Sequence, residues 1–432
     1  MAGTAPKYLI GAVVAIGVTA LIAWKYTPQA APRMPVADDR QAALAVAKTL
    51  LGADSIFDRF LAAGTLLEAG DRTGYEILAE GLVSQDPTVA RAAMDTLLSV
   101  PDFCALAQTI EDISERPMLN EALLRGIAYF SRQDALPYVR DALDSPIPTV
   151  RIRALRTVAR LHDGQSLPHV QNSLETRGMM DDERANVYYA LTALGDGVAR
   201  QDDIIELTRN SETSVREVAA ITLGNIPSDR SRAALALLVD DQSVRVRVAA
   251  LGSHVNVGGE QSVEALEDVI TTGHRDHAII AAAALKRVPA SIAQGVIKRV
   301  TGCCELKAEV AMRLMETWGR IGGGDGTDLT VPGWGLRHGD LDVRLQTLWA
   351  LGWRADQGFR DLILPYLKDP DPAMRGMAAW AVARLGLPVN EATLELEDGQ
   401  TPVCPAQYRH RDEFEDVEAA AISENSVGLA PG

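Results

Sequence analysis

Along most of this chain, apolar and small residues return at the spacing of one helix face. In the runs Val215, Ala219, Leu223 and Val343, Thr347, Leu351, the repeat is four residues, the period of an amphipathic α-helix. Polar turns separate the runs. Asp86-Pro87 and Asp371-Pro372 each join an N-capping acid to a proline suited to the first helical position, so each predicts a helix start. Ser145-Pro146-Ile147-Pro148-Thr149 and Asp240-Asp241-Gln242-Ser243 read as equivalent turns. Strand signals are scarce: Val244 to Val248 alternates, but arginines fill its polar slots in the register of the helices.

The helices themselves recur. Val150-Arg151, Val215-Arg216, Val244-Arg245, Val343-Arg344 and Met374-Arg375 mark the same place in successive units, with Arg91 as a variant. Weaker matches fall at Arg59, Glu121, Arg184, Ala278 and Glu309, and the mean step is about 32 residues. That period predicts eleven two-helix repeats over 42–390, an all-α solenoid in which each repeat buries its apolar face on its neighbours. Alanine-rich second helices allow close stacking. A hydrophobic content of 47% with only 5% aromatics suits layers of Ala, Leu and Val.

The segments DPTVARAAMDTLL, IPTVRIRALRTVARL, ETSVREVAAITLGNI, QSVRVRVAALG, DLDVRLQTLWALG and DPAMRGMAAWAVARLG resemble HEAT repeats, especially the short bacterial kind of the phycobilisome lyases. The resemblance covers roughly 42–388 and implies a right-handed superhelix of helix pairs. It also implies a structural ladder of turn acids and helix arginines: Asp86 with Arg91, Asp144 with Arg151, Glu212 with Arg216 and Asp371 with Arg375, joined by Arg245 and Arg344. For activity it implies little. The iron-dependent HEAT-like hydroxylases carry His-Glu dipeptides, and this chain has none.

Before the repeats, Tyr8 to Trp24 is an uncharged apolar stretch of 17 residues between Lys7 and Lys25. It is long enough to span a bilayer, and Tyr8, Trp24 and Tyr26 stand where interfacial aromatics belong. A cleaved signal peptide is the rival reading, but no good small-x-small site follows. The expectation is a single-pass anchor at 8–24 after a short flank (1–7), then a Pro/Ala-rich linker at 25–41. The short flank favours a periplasmic solenoid, whereas Lys25, Arg33 and Arg40 favour a cytoplasmic one.

Charge alters the picture at the other end. From Glu391 on, ten acids oppose Arg409 and Arg411, so this tail carries half of the chain's net −16. Its composition predicts disorder, with a docking peptide at Tyr408–Val417 as the alternative, anchored by Tyr408 and Phe414. Bulk acidity argues against a nucleic-acid partner.

No catalytic constellation emerges. His274 and His277 share a helix face but lack two further metal ligands. The glycines at 319, 322, 323, 324 and 326 lack the lysine of a phosphate loop and read as a repeat insertion reaching Gly339. Cys104, Cys303, Cys304 and Cys404 form no CxxC motif; buried free thiols are the expectation, since adjacent cysteines rarely bond each other. No cofactor is implied. Five of six tryptophans lie between 318 and 380, and Trp318, Trp334 and Trp353 are candidate partner contacts. The expected function is a membrane-anchored, non-enzymatic scaffold or adaptor for a partner protein or membrane protein complex. The alternative is a HEAT-like lyase or cofactor-attachment factor.

Overall fold

The computed structural model describes residues 37–100, 117–175, 178–322 and 328–385, and among them there is helix and turn but no strand. The leader at 8–24, Cys104, Cys404, Tyr408 and Phe414 lie outside the described residues. Among those described, no helix is long and apolar enough to cross a membrane.

Except at Pro87–Ser99 and Pro117–Tyr129, which lie on either side of residues 101–116 and are both second members, the described helices alternate between first and second members of a pair. They are α1 (Ala37–Leu50), α2 (Ile56–Glu68), α3 (Tyr75–Leu82), α4 (Pro87–Ser99), α5 (Pro117–Tyr129), α6 (Leu136–Ala142) and α7 (Pro148–Leu161). Next come α8 (Leu167–Ser173), α9 (Asp181–Ala193), α10 (Gln201–Leu207), α11 (Thr213–Leu223), α12 (Asp229–Leu238), α13 (Val244–Asn256) and α14 (Ser262–Thr272). The series ends with α15 (Arg275–Ala284), α16 (Ala290–Cys303), α17 (Ala308–Arg320), α18 (Thr330–Leu336), α19 (Leu341–Arg354), α20 (Arg360–Ile363) and α21 (Pro372–Arg384). All eleven anchors of the 32-residue rhythm fall on second helices: α2, α4, α5, then the odd-numbered helices to α21. The capping turns work as their chemistry requires. Asp86 accepts from the Thr88 amide at 2.8 Å, and Asp371 accepts from the amides of Ala373 and Met374.

The second helices stack side by side, and the stack closes. Helix α21 packs on both α1 and α2, so the last repeat lies against the first. The expected α-solenoid is present among the described residues, and it closes into a ring. At the seam a Cβ on Gly376 would stand 3.0 Å from Leu61 and 3.2 Å from Leu50. Arg384 pairs with Glu68, both almost wholly buried, and Arg360 donates to Asp39 at 2.6 Å. Local periodicity does not encode the small rotation between repeats, which is why closure is invisible in the repeat pattern. Elsewhere the inner stack is tight where glycine meets backbone: a Cβ on Gly319 would lie 2.9 Å from Ala350 Cα, and one on Gly352 2.8 Å from Ala381 Cα.

Several expectations need correction. The arginine ladder uses other acids. Arg151 forks onto Glu183 of the next repeat at 2.6 and 2.8 Å, and Arg216 onto Asp241 at 2.8 and 3.0 Å. Arg91 reaches only Asp95 at 3.6 Å, and Arg245 turns back to Glu217. Arg344 and Arg375 instead donate to carbonyls of their own turns, at His338, Gly339, Asp369 and Pro370. The physical reason is visible at Asp86 and Asp371: a capping carboxylate is already occupied by first-turn amides, so the arginine finds carbonyls or an acid one repeat on. Asp144 sits 3.3 Å from His169, and Glu212 makes no side-chain cap.

The expected insertion before Gly339 is no insertion where described, because Thr330–Leu336 is the first helix of the tenth pair. Helix begins at Ala37, inside the expected linker. Cys303 and Cys304 are bonded to each other, not free thiols.

Candidate functional site: the lumen of the ring

Closure turns the second helices inward, and their polar stripes face one another across a lumen. Long-range contacts show this directly. Tyr129, at the end of α5, lies beneath the Arg320 guanidinium of α17, 3.3 Å from its ring centre, and the Tyr129 carbonyl accepts from Arg320 at 2.8 Å. The Tyr129 hydroxyl reaches Glu316, which also accepts from Lys286 at 2.6 Å and from Arg313. Trp349 and Trp353 of α19 stack on each other at 5.3 Å, and Tyr129 lies 6.4 Å from both. A cation–aromatic bridge therefore joins the third repeat to the ninth and tenth. Burial pushes the Tyr129 hydroxyl up to about 12 and lowers the Arg320 guanidinium. For Glu316, burial alone would raise the carboxyl, but Lys286, Arg313 and Arg320 outweigh it and hold it below its ordinary value.

Between this bridge and the seam the lumen is filled. Phe130 packs 6.0 Å from Trp353, and the buried Glu68–Arg384 pair lies against the same tryptophan. On the other side there is a cavity of about 360 Å³. Its apolar wall is Val218 and Ile221 of α11 with Tyr189 of α9, and its polar lining includes Arg156, Arg245, Arg287 and Glu217. Three guanidiniums thus face one carboxylate. Arg245 is paired to Glu217 at 2.9 Å, and Arg156 donates to the Asn186 side-chain oxygen at 2.6 Å. Arg287 comes from the turn after α15 and feels Glu217 and Tyr189 only at a distance, with Arg160 opposing it. Its side chain is open to water yet surrounded by protein, which is the signature of a residue inside a lumen. Burial lowers the guanidiniums of both Arg156 and Arg287, with neighbouring arginines adding to the effect. Helix spacing builds this surface: Arg153, Arg156 and Arg160 recur at i, i+3 and i+7 on α7, one stripe of one face.

The tryptophans expected at a partner surface sit elsewhere. Trp318 and Trp353 are each 5% exposed. Trp318 is packed under Arg354 and against Phe359. Trp334 is half-buried on α18 beside His338, not on an open loop. The rings of His274 and His277 lie 5.7 Å apart, and among the described residues no group of three or more His, Cys, Asp or Glu could hold a metal ion. Arg156, Arg287, Tyr129 and Arg320 were not legible as site residues, because an arginine on a repeat helix looks the same whether it faces bulk water or a lumen.

Comparison with known proteins agrees with the repeat. A family model described as HEAT repeats matches residues 202–286 and 332–401, stretches in which the chain is similar to that family. Solved structures are also similar, two of them as follows. One is the crystal structure of an engineered protein, 18% identical, covering 80% of this chain and 98% of its own at a TM-score of 0.28. The other is the complex of CpcE and CpcF of phycocyanin lyase from Nostoc sp. PCC7120, 15% identical, covering 68% of this chain and 98% of its own at a TM-score of 0.31. No curated protein matches the chain.

Proposed function

We propose that this protein is a membrane-tethered ring scaffold whose lumen holds an acidic polypeptide segment of a partner protein. The observation that carries the reading is the charge balance of the cavity: Arg156, Arg245 and Arg287 face Glu217 alone, inside a chain of net −16. Arg245 is paired to Glu217, which leaves Arg156 and Arg287 with no carboxylate of their own in the cavity, an excess that an anion would offset. HEAT-type repeats are interaction platforms, which suits a scaffold. The tether is the apolar leader Tyr8–Trp24, with the ring on the periplasmic side.

Crosslinking in intact membranes followed by recovery of the ring tests this. Arg156→Glu with Arg287→Glu should abolish the crosslinked partner while leaving the melting temperature within about 2 °C, a surface-scale change. Undiminished recovery of the same partner would overturn the lumen as the binding surface. Absorbance beyond the aromatic band in the purified protein would instead favour cofactor attachment. Release of the full-length chain by alkaline carbonate would remove the tether, and a topology reporter fused after Gly432 decides the side.

A further inference from the structure

The cavity has a shape and a charge pattern that the chain itself can satisfy. Its lining combines Tyr189, Val218 and Ile221 with Arg156, Arg245 and Arg287, and Glu217 is the one carboxylate among them. The matching ligand is an apolar side chain flanked by carboxylates. The acidic tail holds such a sequence: Asp412-Glu413-Phe414-Glu415-Asp416. Phe414 would pack on the apolar part of the lining, and the acids on either side would meet guanidiniums. Cationic groups over an aromatic ring add to that match. The lining has an excess of two positive charges, and segment 412–416 carries four negative ones, more than enough to offset it.

Position allows the match. Helix α21 ends at Arg384, at the ring seam, and Phe414 follows 29 residues after Leu385. Extended, that length reaches about 100 Å. Eleven second helices at about 8–10 Å spacing make a ring roughly 30 Å across, so every point of the lumen is within reach. A tethered segment also competes at an effective concentration on the order of millimolar.

We propose that the lumen cavity is a binding site for an acidic-aromatic peptide, and that its resident occupant is the chain's own segment 412–416, which a partner must displace. This rests on the lumen reading above and adds self-occupancy to it.

The test uses the full-length protein in mild detergent and a fluorescent synthetic peptide copying residues 412–418. Binding is measured to the unaltered protein, to a tail variant (Glu413→Gln, Phe414→Ser, Glu415→Gln), and to that variant carrying Arg287→Ala. The tail variant should bind the peptide at least tenfold more tightly than the unaltered protein. Adding Arg287→Ala should remove at least tenfold of that affinity, and Arg287→Lys should restore part of it. Both effects should weaken with added salt. Unchanged melting curves exclude misfolding, and Arg287, which makes no hydrogen bond to its acidic neighbour, is a mild site to truncate. Equal peptide affinity for the unaltered and tail-variant proteins would overturn self-occupancy while leaving the lumen site standing. No peptide binding to the tail variant, or binding indifferent to Arg287, would overturn the site as well. If the tenfold difference disappeared on dilution of the protein, the tail would belong to a second copy and the proposal would fall.

Discussion

Removing Arg384 should open the ring. Its guanidinium pairs with Glu68 at the seam, with the two side chains 7% and 1% exposed. Its Nε also donates to the Gly352 carbonyl at 3.2 Å, and it lies 5.2 Å over Trp380. Arg384→Met keeps most of the apolar contact but strands a buried carboxylate. Breaking a buried pair from one side costs about 3–5 kcal/mol, and retained packing over the tryptophans places the expected loss near the lower end, about 3 kcal/mol. Because the pair joins the first and last repeats, the loss should show as opening as well as destabilisation. Urea unfolding followed by circular dichroism reads the first, and an increased radius of gyration in solution scattering reads the second.

The pH dependence has a definite sign. Burial raises the Glu68 carboxyl above 4.5, and Arg384 is the main group offsetting this. Without Arg384 the folded-state value rises further, so between it and 4.5 the native state binds more protons than the unfolded state. The variant must therefore regain stability as the pH falls through that window. Arg384→Met with Glu68→Leu should recover most of the loss at neutral pH, because an apolar pair replaces the ionic one. A loss under about 0.5 kcal/mol for the single variant, or no recovery in the double, would refute the claim that this pair holds the seam.

Three further outcomes follow from the packing. Gly352→Val drives methyl groups into Ala381 and Trp380 and should cost about 1–3 kcal/mol in urea unfolding, without altering lumen peptide binding. For Asp241, burial alone would raise the carboxyl, but hydrogen bonds from Arg216 and the Ser243 amide hold it below 3.8. Asp241→Asn should therefore cost about 3 kcal/mol at pH 7, and the gap should close as the pH falls below 3.8 and through the lowered folded value. Arg320→Ala should weaken the Tyr129 bridge, seen as a red shift and loss of intensity in tryptophan fluorescence from Trp349 and Trp353; an unchanged spectrum would argue that the bridge is absent in solution.

Legibility divides by distance along the chain. The helix pairs were readable because they depend on neighbours: capping at Asp86 and Asp371, and a small-residue face such as Val215, Ala219, Leu223. Eleven anchors marked eleven second helices for the same reason. The ladder was readable in kind but not in partners, because Arg216 chooses between acids 4 and 25 residues away and only geometry decides. The ring, the lumen and the fate of the tryptophans depend on contacts some 190 to 320 residues apart, as at Tyr129–Arg320 and Glu68–Arg384. One trace of closure was present. Open solenoids need a polar face on each terminal repeat, yet α1 and α2 bury Ala43, Ala47 and Leu66, and α21 is apolar nearly all round.

Closure also narrows what can bind. An open HEAT superhelix offers a concave face to a folded partner and adapts by flexing, since each repeat touches only its neighbours. A ring pinned at Glu68–Arg384 and crossed by Arg320 on Tyr129 has lost that freedom. With roughly 30 Å between opposing helices before side chains are counted, and Phe130 against Trp353 on one side, the lumen suits an extended segment better than a folded domain. On the lumen proposal, the occupant is a single extended strand or a chain end, and the guanidiniums would select one rich in carboxylates. A folded partner would therefore have to present an unstructured acidic segment. Its apparent affinity would be set by competition with residues 412–416 as much as by its own contacts.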